Sequence, residues 1–378
     1  MISLFAKKSQ DLEAFRDITD DVDEAEFVPY ACHINPHTIL TKNGEVLQCI
    51  KIIGFMHELL EGERRDLRSV IREALRESIQ STDYALWLHT IRRAVSLTPE
   101  GEQDNIFSQQ LSSEWAEIND WEHQFTNEVY ITIVREGETA TISTPQHFTR
   151  SLIGAVERNA RWKYIEQAAQ ELDAVCSNIV AKLESFGARR LGLTTGDDGR
   201  VISEPLSFFG KIIHLTEEPL PLPPAGLDDV LTDYDVTFGF NAMEVRDADG
   251  TRRFGALMTL KEYKELSSES LDQLLQIRAE FILTQSLDYI NQRKALSEYR
   301  DQKTIIARGP DQSFTREIGL DSILESHRES PLDFAEQQVC CFVLADSVRE
   351  LEQSLRKITA AFDDLGIVAI REDIKMQD

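Results

Sequence analysis

Phe254-Gly255-Ala256-Leu257-Met258-Thr259-Leu260 and Glu280-Phe281-Ile282-Leu283-Thr284-Gln285-Ser286 are two apolar runs of strand length. The segment between them, Glu269 to Ile277 with Leu271, Leu274 and Leu275, reads as a helix, so the three together form a βαβ unit. Gln338-Val339-Cys340-Cys341-Phe342-Val343-Leu344 reads as a further strand. Val348, Leu351, Leu355, Ile358, Phe362 and Leu365 keep the three-four spacing of one helix face, and Gly366-Ile367-Val368-Ala369-Ile370-Arg371 closes a second unit. Two such units form the split βαβ pair of a ferredoxin-like fold. A helical excursion from about Ser286 to Ser330, broken near Gly309-Pro310, is expected between them.

The first half of the chain has the same order. Thr38-Ile39-Leu40-Thr41 and Val46 to Ile52 flank Asn43-Gly44, a dipeptide that tolerates the positive φ of a tight turn, and so predict a hairpin. A helix over Glu63–Ser81 follows, with Leu67, Val70, Ile71, Ala74, Leu75 and Ile79 on one face. The strand Tyr84–Ile91 ends at Arg92-Arg93, and Leu97 to Thr126 is polar with one or two short helices. Asn127–Val134 is a strand, and a helix of roughly 50–60 Å covers Phe148 to Phe186. Gly187 can cap it, and Arg189–Leu193 reads as a strand. Prolines at 219, 221, 223 and 224 mark a break. The expectation is an α+β chain of two ferredoxin-like units with helical insertions. Residues 1–205 form the first unit with the N-terminal hairpin and the long helix; residues 206–378 form the second, with the insertion at about 286–330.

A net charge of −26 repels a phosphate backbone over most of the surface, so no direct nucleic-acid binding is expected. The pairs Arg64-Arg65, Arg92-Arg93, Arg189-Arg190 and Arg252-Arg253 sit among acidic neighbours and read as solvated or salt-bridged. Cys32, Cys49, Cys176, Cys340 and Cys341 lie in apolar stretches with no metal-site spacing, as core thiols of a reducing cytoplasm do. No run approaches the roughly 20 apolar residues of a bilayer span. Membrane contact is therefore expected to be indirect.

No catalytic, cofactor-binding or metal-ligating residue is assigned. His33 and His37 have a ligand-like spacing, but Pro36 between them breaks any helix that would align them. Cys340 and Cys341 are strand neighbours that point to opposite faces. Thr195-Gly196-Asp197-Asp198-Gly199 lacks the full calcium-loop spacing and reads as a turn. Asp228-Asp229 and Asp363-Asp364 read as solvated faces or helix-end charges.

Four stretches, in order, carry a family resemblance. They are Thr41-Lys42-Asn43-Gly44, His89-Thr90-Ile91-Arg92-Arg93, Asn127-Glu128-Val129-Tyr130-Ile131-Thr132, and the run from Ala256–Tyr263 through Glu280–Ser286. Together they resemble the CagE/TrbE/VirB family, the inner-membrane-associated ATPases of type IV secretion and conjugation, the fourth VirB-type component. In that family a RecA-like motor with a Gly-x4-Gly-Lys-Ser/Thr phosphate loop follows this region. Here the only Gly-Lys is Gly210-Lys211, followed by Ile212, with Pro205 where the loop needs glycine. The resemblance thus covers the front half of a family member, and its ATP-binding residues have no counterpart in this chain.

The resemblance implies a non-motor docking and assembly module without enzymatic activity of its own. ATP and Mg²⁺ would belong to the family's C-terminal domain. Its partners would be the third and eighth VirB-type inner-membrane components and neighbouring ATPase subunits, at the cytoplasmic face of a bacterial inner membrane. The hairpin from Thr38 to Ile52 and the insertion from Ser286 to Ser330 are the expected contact regions. Two alternatives stay open: a stand-alone degenerate paralogue that regulates an intact ATPase, and an unrelated α+β enzyme whose site is assembled from distant residues.

Overall fold

The computed structural model describes residues 28–54, 61–95, 105–118, 124–137, 150–196, 198–213, 218–224, 226–232, 234–246, 250–262, 273–290 and 335–372. Strands β1 (Tyr30–His33), β2 (Ile39–Thr41) and β3 (Val46–Ile52) form a meander whose second turn is the expected Asn-Gly hairpin. Gly44 has φ 92°, the left-handed region that glycine enters without steric cost. Then come α1 (Glu61–Ser78), β4 (Tyr84–Val95), α2 (Ile106–Ile118), β5 (Gln124–Arg135), α3 (Arg150–Lys182) and β6 (Arg189–Arg190). At 33 residues α3 is about 50 Å long. A single 3-10 turn follows it, and Gly187, at φ 62°, closes that turn by donating its N–H to the Glu184 carbonyl.

A small hairpin, β7 (Leu193–Thr195) and β8 (Val201–Ser203), leads into α4 (Glu204–Ile213) and α5 (Leu227–Leu231). Then a second meander begins, β9 (Asp235–Phe238), β10 (Met243–Arg246) and β11 (Arg252–Glu262), followed by β12 (Glu280–Tyr289), β13 (Ala335–Ala345), α6 (Val348–Asp364) and β14 (Val368–Arg371). Ser347 caps α6 by accepting the Glu350 N–H.

All the strands except β7 and β8 form one antiparallel sheet. In the first half the order is β6-β3-β5-β4; in the second it is β14-β11-β13-β12. Each half adds a two-strand arm, β1-β2 beside β3 and β9-β10 beside β11. The halves join where β4 pairs antiparallel with β12, from Ala85 opposite Asp288 to Arg92 opposite Phe281. Because equivalent strands meet antiparallel, an approximate two-fold axis normal to the sheet relates the two strand sets. The internal repeat therefore takes in the β9-β10 arm as well, with Gly250 at φ 83° in the turn that matches Gly44. Sequence reading missed that arm because its strands are only four residues long.

Both helix sets cover the same face. Ala74 of α1 and Ile165, Leu172, Cys176 and Ile179 of α3 bury Val46, Ile50, Leu86, Ile131 and Ile133. Leu351, Leu355, Ile358 and Phe362 of α6 bury Ala256, Met258, Phe281, Cys341 and Val343. The opposite face is covered by α4 and α5, whose Leu206, Phe208, Phe209, Leu227 and Leu231 pack with Leu47, Cys49, Ile91, Tyr130, Ile282 and Leu344 from both halves. Coverage on both faces explains why Val46 through Ile50 are all buried, without the alternation of a one-sided strand.

Several expectations need correcting. β4 does not stop at Arg92-Arg93 but continues to Val95. Arg189–Leu193 is not one strand: Arg189–Arg190 joins the large sheet, whereas Leu193 begins the separate hairpin. Ser286 to Tyr289, expected to open the insertion, complete β12; residues 291–334 lie outside the described residues. Of the helix expected over Glu269–Ile277 only residues from 273 on are described: Gln273 and Leu274 are helical, with Leu274 buried, and the chain turns from Leu275, so the helix ends before Ile277. Val70, placed on the buried face of α1, is exposed. The hairpin proposed as a contact region is core: Thr38, Ile39, Thr41 and Val46 to Ile50 are buried, and Lys42-Asn43 of its turn is exposed.

Candidate functional site

The polar side chains that the fold gathers in one place lie beneath α4, where it crosses the junction of the two halves. Ser203 starts this helix: its Oγ accepts the Leu206 N–H at 3.1 Å and shares a 2.8 Å hydrogen bond with His33 Nε2. The next turn presents two phenylalanines. Phe208 stacks on Tyr130 at 4.2 Å and meets His89 edge-on at 5.4 Å, while Phe209 stacks on Tyr30 at 3.8 Å. Gly210-Lys211 follows, so the chain's single Gly-Lys is part of a packed helix. Lys211 Nζ reaches Glu128 Oε2 at 3.1 Å.

Glu128 is the centre of this cluster. Its carboxylate accepts from Lys51 at 3.0 Å, from Lys211, and from the Tyr130 hydroxyl at 3.0 Å, with Arg93 at 3.6 Å. Burial alone would raise its pKa, but Lys211 and Lys51 outweigh burial and hold the carboxyl at about 2. Lys51 also lies 5.3 Å from the centre of the Tyr130 ring. Across the junction, Arg253 pairs with Glu280 and with Asp346, and Glu280 accepts the Ala94 N–H at 2.7 Å. The cleft between Arg93, Lys211, Arg253 and Glu280 holds about 20 Å³, room for roughly one water and far too little for a nucleotide. These charges neutralise one another and tie α4, β4, β5, β11 and β12 together. Their chemistry is that of a structural lock.

The remaining sequence features fall elsewhere. His37 Nδ1 bonds the Leu191 carbonyl at 2.9 Å and His33 Nδ1 the Asn35 carbonyl at 3.2 Å, so both imidazoles hold loops. Cys341 is buried under α6 and Cys340 lies on the other face, and burial pushes the Cys49 thiol up to about 12. The Thr195–Gly199 stretch carries the β7-β8 turn, with Gly199 at φ 79° and Asp197 outside the described residues. Asp228 binds Lys42 at 2.8 Å. Among the arginine pairs, Arg189 binds Glu204, Arg190 Asp173, and Arg252 Glu244. Arg92 departs from the solvated or salt-bridged expectation. It is buried, donates to the Ile277 carbonyl and to Asn127, and stacks on Phe125.

Glu128 went unremarked in the sequence as a site, although a carboxylate two residues from Tyr130 on a strand buried at its centre was the available signal. His89 is the second such residue. Near the middle of the β4-β12 seam its Nδ1 shares a 3.0 Å hydrogen bond with Thr284 Oγ1, and burial lowers its pKa to about 4. Neutral in the fold and ordinary at 6.5 when unfolded, His89 takes up a proton only in the unfolded chain as pH falls from 6.5 towards 4. Stability is therefore expected to drop by on the order of 3 kcal/mol across that window. Glu128 adds a further loss below about 4.5, as protonation removes its ion pairs. Urea unfolding of wild type and His89→Gln between pH 7 and 4 checks this: the variant should lose most of the slope above pH 4.5, the remainder coming from His33, whose pKa burial also lowers, and keep the one below it.

No helix among the described residues is long and apolar enough to cross a membrane. Comparison with known proteins gives two family matches. Residues 189–378 match the CagE, TrbE, VirB family, component of type IV transporter system, and residues 37–141 match the type IV secretion system ATPase VirB4/TrbE, N-terminal domain. Among similar proteins, the type IV secretion system protein PtlC of Bordetella pertussis is 25% identical over 362 residues, covering 91% of this chain and 42% of its own length. The type IV secretion system protein virB4 of Bartonella henselae is 22% identical, covering 93% and 44%, and that of Brucella abortus 23%, covering 91% and 42%. The chain thus spans about two fifths of the length of these curated relatives.

Proposed function

This chain belongs to the CagE, TrbE, VirB family of type IV transporter components, and from that membership we propose that it is the non-motor docking and assembly region of a type IV secretion ATPase. The observation that carries the reading is the fate of its one Gly-Lys. Lys211 of that pair is spent on Glu128 beneath a packed helix, and the neighbouring cleft has no room for a nucleotide. ATP and Mg²⁺ are handled by a RecA-like motor in the remainder of a full-length family member. This region supplies the platform on which the motor is positioned.

In this reading each half of the sheet, β6-β3-β5-β4 and β14-β11-β13-β12 with its helices, is a ferredoxin-like unit, and the two are fused edge to edge. The platform lies at the cytoplasmic face of the bacterial inner membrane and binds the third and eighth VirB-type components. The test is ATP turnover by the purified chain alongside a full-length relative. The chain is expected to release no phosphate above buffer background while the relative turns over; turnover by the chain would overturn the proposal.

A further inference from the structure

We draw no further inference here: the strongest candidate, the apolar face that Ile106, Phe107 and Leu111 expose on α2 between β4 and β5, is flanked on both sides by residues outside the described ones, and nothing in the structure shows what covers it.

Discussion

Glu128→Ala is expected to destabilise the fold by roughly 3 kcal/mol, because it leaves Lys51, Lys211 and Arg93 facing one another across a partly buried space. The loss should appear as a lower urea midpoint with an unchanged denaturant slope. Glu128→Gln keeps hydrogen-bonding capacity but not charge, and should fall between alanine and wild type. Adding Lys211→Met to Glu128→Ala removes one of the stranded cations. The double variant should therefore be more stable than Glu128→Ala alone, a sign of direct coupling. If the two substitutions simply added, Glu128 and Lys211 would not interact as the geometry requires.

Phe208→Ala carries an expected loss of 3–5 kcal/mol, the range for deleting a fully buried phenylalanine whose surroundings cannot collapse. Its ring is held between Tyr130, His89 and Phe209, all fixed by strands or by α4 itself. Since α4 packs against Ile91 of the first half and Ile282 and Leu344 of the second, the loss should be shared by both halves. Hydrogen exchange on the variant reads this directly: amides of β4 and of β12 should lose protection together. Faster exchange in β4 alone would mean that α4 stabilises only the half it follows in sequence.

Much of the strand order was legible because the longer strands carry a clean local signal. Asn43-Gly44 declared its hairpin, and the three-four spacing of Leu351, Leu355, Ile358 and Phe362 declared α6. The family resemblance was legible as well, since its landmarks His89–Arg93 and Asn127–Thr132 lie on β4 and β5, the strands that build the junction. The pairing of β4 with β12 was not readable, because it joins residues almost two hundred positions apart and leaves no local pattern. Nor was the cover of α4. Its ten residues follow a polar turn, and no local pattern indicates that Phe208 and Phe209 cross to Tyr130 and Tyr30. For the same reason nothing local singles out Glu128, whose cationic partners come from β3, β4 and α4. The hairpin from Thr38 to Ile52 was misjudged as a contact surface because alternation cannot reveal that both faces of β3 are covered.

The functional account rests on docking, and co-expression tests it most directly. The chain, tagged, would be produced with the third and the eighth VirB-type components of its own secretion system, membranes would be extracted with mild detergent, and the tagged chain would be recovered. The account predicts that at least one of the two components is retained in stoichiometric amount, and that the Phe208→Ala variant, with its platform loosened, retains less. Recovery of the folded chain with neither component would contradict it.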